Sequence, residues 1–137
     1  RPVEPRALVN PKKQKAMQSF WFKANGKAYG PQLQLQSMMA YASDFNFSST
    51  CSLPHGLSGF SGNWQFSSLD HAIWFHAPLD MNDWHLYAMD SPVASSARGL
   101  NRGSIFCSAG HLVASVCQES LVRWVGKGQR PKIGDVK

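Results

Sequence analysis

The apolar residues of this chain change their period once, and that change limits what it can become. From Gln32 onward, Leu35, Met38, Met39 and Ala42 fall at i, i+3, i+4 and i+7, one face of an α-helix. Phe45 and Ser49 prolong the face by two more turns, and Pro54-His55-Gly56 ends it. Gly30-Pro31 offers a start, because proline is tolerated in a first turn. A stripe that carries methionines in this way is core packing. The rest reads as strand. Gln18–Lys23 precedes the helix and is closed by an Asn25-Gly26-Lys27 turn. Beyond a Gly/Ser loop from Gly56 to Gly62, Gln65–His76 is apolar on both sides, as a buried central strand would be. Trp84–Met89, Gly99–Cys107 and Leu112–Trp124 follow, separated by Pro78–Asp83, Ser95–Arg98 and a short Ala109-Gly110 hairpin turn. A strand, one long helix and four closely linked strands predict an α+β domain, a mostly antiparallel sheet packed on a helix. More than one topology shares that order.

At 137 residues and 43% hydrophobic, the chain is sized for one domain with a real core. No apolar run approaches the roughly 18 residues of a membrane span, so membrane insertion is not expected. The chain opens at Arg1 with neither an initiator Met nor a charged-then-apolar leader, and reads as a fragment or processed piece, not a secretory precursor. Its three cysteines form no CxxC pair and leave an odd thiol, which fits reduced thiols inside a cell. The net charge is +6, but Lys and Arg occupy positions 1 to 27 and do not return until Arg98. Asp44, Asp70, Asp80, Asp83 and Asp90 fill the gap. Basic ends of this kind attract phosphates. No nucleic-acid motif accompanies them, and nucleic acid is not an expected partner. The Pro- and Lys-rich start, with an extended piece near Val3, belongs to a domain over 1–124; 125–137 reads as a basic, flexible tail.

Polar residues in apolar positions mark the candidate chemistry. In the last strand Leu112, Ala114, Val116, Val122 and Trp124 share a face, and Gln118 lies on it. A buried amide costs roughly 1–3 kcal/mol if its hydrogen bonds are unmet, so Gln118 needs a partner, structural or bound. Asp44 falls within or at the end of the helix, with small neighbours, Ala40 and Ser48, four residues to either side. A carboxylate there that faces a sheet would be desolvated and its pKa would tend to rise, which suits a general base. Ser67-Ser68-Leu69-Asp70-His71 invites a triad reading, but neighbours on a strand point to opposite faces. The GxSxG elbow is absent too, since Gly56-Leu57-Ser58-Gly59 runs into Phe60. His71 and His76, five apart on one strand, would not share a metal, and His55, His85 and His111 lack ligand spacing.

Several stretches in register resemble a known family. SLDHAIWFHAP (Ser68–Pro78) is similar to a signature in the C-terminal hotdog repeat of type II acyl-CoA thioesterases. SPVASSARGLNRGSIF (Ser91–Phe106) and LVASVCQESLVR (Leu112–Arg123) resemble the strands that follow in that repeat. YASDFNF (Tyr41–Phe47) and LPHG (Leu53–Gly56) resemble its central helix and exit, and RPVEP its entry. The resemblance runs from Arg1 to Arg123. It implies a single hotdog domain, an antiparallel sheet wrapped around one long central helix. It also implies hydrolysis of fatty acyl-CoA to a fatty acid and coenzyme A. Catalysis in that family is assigned to a helix Asp, a Thr or Ser before the LDH run and a Gln of the last strand, here Asp44, Ser68 and Gln118.

The implied mechanism needs no cofactor, metal or covalent nucleophile. Asp44 activates or orients a water, with Ser68 and Gln118 completing its hydrogen bonds; general-base help of this kind is worth on the order of 10²–10⁴ in rate. Arg98 and Arg102 are candidate contacts for coenzyme A phosphates, or equally surface ion pairs. The Asp70-His71 pair reads as structure. Family members carry two repeats, and this chain matches the second. It is therefore expected to pair with another hotdog repeat or with itself. The alternative is a non-catalytic acyl-CoA-binding or assembly domain. The ending Asp135-Val136-Lys137 is not a peroxisomal address, which points to the cytoplasm.

Overall fold

A computed structural model describes residues 12–58 and 62–126. The elements run β1 (Met17–Phe22), α1 (Gln32–Ser43), a 3₁₀ turn (Thr50–His55), β2 (Trp64–Ser68), β3 (Ala72–Phe75), β4 (His85–Ser95), β5 (Arg98–Cys107) and β6 (Leu112–Trp124). Every ladder is antiparallel, in the order β1-β4-β5-β6-β2, and β3 also pairs with β6. Leu35 and Met39 of α1 join Tyr87, Met89, Ile105, Ala114 and Val116 of the sheet in one buried cluster. Burying such a side chain stabilises by about 1.5–3 kcal/mol. One face of the sheet thus closes on the helix, the expected α+β hotdog arrangement. Among the described residues no helix is long and apolar enough to cross a membrane. The expected entry strand near Val3 and nearly all of the basic tail lie outside the described residues, as do residues 59–61 of the Gly/Ser loop.

Three departures from simple periodicity matter for the site. First, α1 stops at Ser43, two turns before the expected end. Asn46 adopts a left-handed backbone, with φ 58°, which breaks the helix. Phe47 is then fully buried, whereas Phe45, expected on the core stripe, is 53% exposed. The segment is tied to β1 by the Gln18 amide, which donates to the Asn46 carbonyl at 2.9 Å and to Thr50 Oγ1 at 2.8 Å. A 3₁₀ turn follows and ends at Gly56, whose φ is 64°.

Second, Gln65–His76 is not one strand. Ser68 pairs with Ser120 and Ala72 with Cys117. Leu69, Asp70 and His71 therefore stand opposite only Gln118 and Glu119, a one-residue bulge that breaks the alternation of faces. Third, Ile105 pairs with Ala114 but Phe106 with Leu112, so Val113 is an extra residue in β6. Val113 and Ala114 are both buried, and Leu112, expected inside, is 40% exposed. From Ala114 onward the inward face runs Ala114, Val116, Gln118, Ser120, Val122.

Candidate active site

Asp44 caps the C-terminal end of α1. Ser68 is the last residue of β2, and Gln118 lies mid-way along β6. The fold brings all three together. Gln118 Nε2 donates to Ser68 Oγ at 2.9 Å, and Ser68 Oγ donates to Asp44 Oδ1 over a long 3.4 Å. Gln118 is completely buried, as its place on the apolar face of β6 leads one to expect. Its second N–H goes to Ser48 Oγ at 2.7 Å, and its carbonyl oxygen meets His71 Nδ1. Both amide hydrogens are thus committed inside the protein. Gln118 holds Ser68 from behind and offers no N–H to a bound molecule.

A polar layer supports the amide. Ser120 Oγ donates to Ser48 Oγ at 3.0 Å, and Asn101 Nδ2 donates to Ser120 Oγ at 3.1 Å. Asn101 Oδ1 accepts the Cys51 backbone N–H at 2.9 Å. Asn101 and Ser120 are fully buried, and each has a partner, as buried polar groups require. Tyr87 reaches the end of α1, where its hydroxyl donates to the Ser43 carbonyl at 2.9 Å. Burial, and secondarily the negative charge of Asp44, push the Tyr87 phenol well above its ordinary pKa, so it remains a neutral donor.

Asp44, Ser68 and His71 share the wall of an open cleft of about 650 Å³ with Tyr41, Phe45 and Leu69. These last three are 73%, 53% and 50% exposed and make an apolar rim. Asp44 is exposed, which differs from the desolvated carboxylate expected of a residue facing the sheet. The early stop of α1 is the reason: Asp44 follows the last helical residue and points into the cleft mouth. Cys51 is buried beneath the network with its thiol pushed up to about 11, chiefly by burial, and is no nucleophile at neutral pH.

Arg98 and Arg102 are not in the cleft wall. Arg98 faces Glu119 at 3.5 Å, and Arg102 Nε donates to Asp90 Oδ1 at 3.1 Å. Asp70 lines the cleft too, and its Oδ1 accepts the Glu119 N–H at 2.7 Å and bridges the bulge. Its neighbour His71 is not merely structural in position, because it lines the cleft and contacts Gln118. His71, Ser48, Asn101 and Ser120 were missed by sequence reasoning. Ser120 carried a signal, a second polar residue on the Gln118 face of β6.

Fold and site together define a hotdog domain with a polar network opening onto an apolar-rimmed cleft. The model of the acyl-CoA thioesterase family matches residues 2–121, and the chain belongs to that family. It is 40% identical over 129 residues to acyl-CoA thioesterase 2 of Haemophilus influenzae, covering 90% of this chain and 45% of that protein. Human acyl-coenzyme A thioesterase 8 is 34% identical over 129 residues, covering 90% of this chain and 38% of its own length. The crystal structure of acyl-CoA thioesterase II TesB2 from Mycobacterium marinum superposes with a TM-score of 0.77 at 35% identity, over 93% of this chain and 50% of that one. The chain thus spans half or less of each of these relatives.

Proposed function

We propose that this domain supplies the catalytic residues of an enzyme that hydrolyses fatty acyl-CoA to a fatty acid and coenzyme A. The observation that carries the reading is the line Gln118–Ser68–Asp44, which ends on a carboxylate in an open cleft. Asp44 takes a proton from a water whose oxygen attacks the thioester carbonyl carbon. The resulting tetrahedral intermediate expels the coenzyme A sulfur, which recovers a proton. Ser68 orients Asp44 and the water, and Gln118 fixes Ser68. The apolar rim of Tyr41, Phe45 and Leu69 suits the acyl chain. It also suits a covering partner, a second hotdog repeat or another copy of this chain, which would dry the exposed Asp44 carboxylate. Three free cysteines, one of them buried, fit a reducing compartment such as the cytoplasm.

The test is thiol release from acyl-CoA of several chain lengths by the native protein that carries this domain. Asp44→Asn is expected to lower kcat on the order of 10²–10⁴-fold. Full activity in that variant would remove Asp44 from the mechanism. The competing reading is a non-catalytic acyl-CoA-binding or assembly domain. Tight binding of a non-hydrolysable acyl-CoA with no turnover by the native protein would select it.

A further inference from the structure

Resting on the hydrolase reading above, we propose that His71 is a positioning residue: its Nδ1–H sets the orientation of the Gln118 amide, and so frees the Ser68 hydroxyl hydrogen for Asp44. Gln118 is fully buried, and its two ends face different partners. Its oxygen meets His71 Nδ1, and its nitrogen meets Ser48 Oγ and Ser68 Oγ. An amide oxygen only accepts, so Nδ1 must carry hydrogen in this arrangement. The second ring nitrogen, Nε2, lies 2.8 Å from Ser43 Oγ.

The competing arrangement is a reversed amide. With hydrogen on Nε2 alone, His71 would donate to Ser43 Oγ, which passes its own hydrogen to the Ala40 carbonyl at 2.8 Å. The Gln118 amide would then reverse, its N–H donating to Nδ1 and its oxygen facing both serines. Ser68 has a single hydroxyl hydrogen. In the reversed state that hydrogen is spent on Gln118, and the Ser68 lone pairs face the Asp44 carboxylate. In the observed state Gln118 donates, and the Ser68 hydrogen points to Asp44. The two states bury the same groups, but only the observed one gives both Gln118 N–H groups an acceptor. They differ in whether the hydroxyl beside the carboxylate donates to it. The proton on one nitrogen of His71, itself part of the cleft wall, selects between them.

The bulge at Leu69–His71 is what makes this possible. On an unbroken strand, residues 68 and 71 would face opposite ways. With three residues opposite two, Ser68 and His71 both reach Gln118.

Two measurements on the native protein test the proposal. Long-range proton–nitrogen correlation of the histidine rings is expected to show hydrogen on His71 Nδ1, and a ring protonated only at Nε2 would overturn it. The second compares His71→Asn, whose side-chain N–H can stand where Nδ1–H stands, with His71→Leu, which cannot donate. His71→Leu is expected to lower kcat at least about tenfold with KM little changed, a modest part of the effect of general-base catalysis. His71→Asn is expected to recover most of that loss. Equal kcat in wild type and His71→Leu, or equal losses in the two variants, would refute a positioning role. Should His71→Leu fail to fold, the ring correlation on the wild type still decides. Asp44→Asn serves as the reference: if it stays active, the hydrolase reading fails first, whereas an inactive Asp44→Asn beside a fully active His71→Leu sinks only the role of His71.

Discussion

Gly103 sits at the centre of β5 and has no room for a side chain, because Tyr87 fills the space above it. A Cβ added there would overlap Tyr87 Cε2 and stand 2.9 Å from its hydroxyl oxygen. The ring cannot retreat. It is fully buried, with the Phe20 and Phe47 ring centroids each 5.6 Å from its own. Overpacking of this kind costs about 1–3 kcal/mol. If the ring tips, its bond to the Ser43 carbonyl is lost, leaving buried polar groups unpaired at a further cost of about 1–3 kcal/mol. Replacing glycine by alanine returns roughly 0.4–1 kcal/mol through the unfolded chain. Gly103→Ala is therefore expected to lower stability by about 1–5 kcal/mol, read from urea unfolding. The decisive measurement is a double-mutant cycle with Tyr87→Leu, which removes the atoms that the new methyl would strike. In that background Gly103→Ala is expected to cost less than about 1 kcal/mol, because the pair couples through direct contact. The same loss in both backgrounds would refute the packing argument. The consequence reaches the site, since Ser43 immediately precedes Asp44, and a loosened Tyr87 loosens the end of α1 that carries the carboxylate.

The break at Asn46 predicts opposite outcomes for two phenylalanines that sequence periodicity ranks the other way round. Phe47→Ala is expected to cost about 3–5 kcal/mol in urea unfolding, and Phe45→Ala no more than about 0.5 kcal/mol, since Phe47 is buried and Phe45 half exposed; comparable losses would mean that the helix runs on through Asn46. Acid is expected to weaken the fold through His85 and His55. Burial holds both imidazoles below their ordinary value, with Lys13 adding to the effect at His55. The unfolded chain then binds more protons than the folded one as pH falls below about 6.5, so stability is full above that value and declines as pH drops through the folded pKa. Urea midpoints at about pH 7.5 and about pH 5.5 should differ in that direction, and His85→Asn should flatten the difference, because it keeps a donor for the Asp83 carbonyl without titrating. An unchanged slope in that variant would exclude His85 as a source.

What could be read from the sequence, and what could not, divides on periodicity. Leu35 and Met39 stand in the core because a helix stripe is a repeating signal that short-range geometry enforces. Gln118 was visible for the same reason: an amide in an apolar alternation is an exception to a regular rule. Asp44 could be placed at the helix end only loosely, because a single left-handed residue, Asn46, decides where α1 stops. Its exposure follows from that stop and not from any pattern. Ser68 was found through the family motif alone, since an exposed serine at a strand end breaks no local rule. His71 was out of reach. Alternation assigns it to the face opposite Ser68 only if the strand is continuous, and no periodic signal announces a one-residue bulge.

That failure is physically informative. A strand of strict alternation can offer a buried amide such as Gln118 only neighbours at even spacing along the facing strand. The cleft needs two groups on that strand acting on opposite ends of one amide. One is a hydroxyl at the open side, Ser68; the other is a ring nitrogen against the helix, His71, which also meets Ser43. One inserted residue supplies the odd spacing. Asp70 then accepts the Glu119 N–H that the disrupted ladder would leave unpaired. The LDH run is thus a single device. Leu69 goes to the apolar rim, Asp70 repairs the sheet, and His71 reaches Gln118 from the cleft wall. Deleting Leu69 or Asp70 would remove the bulge and, with it, either the rim residue or the carboxylate that accepts the Glu119 N–H. The site therefore depends on the length of this segment as much as on the identity of its residues.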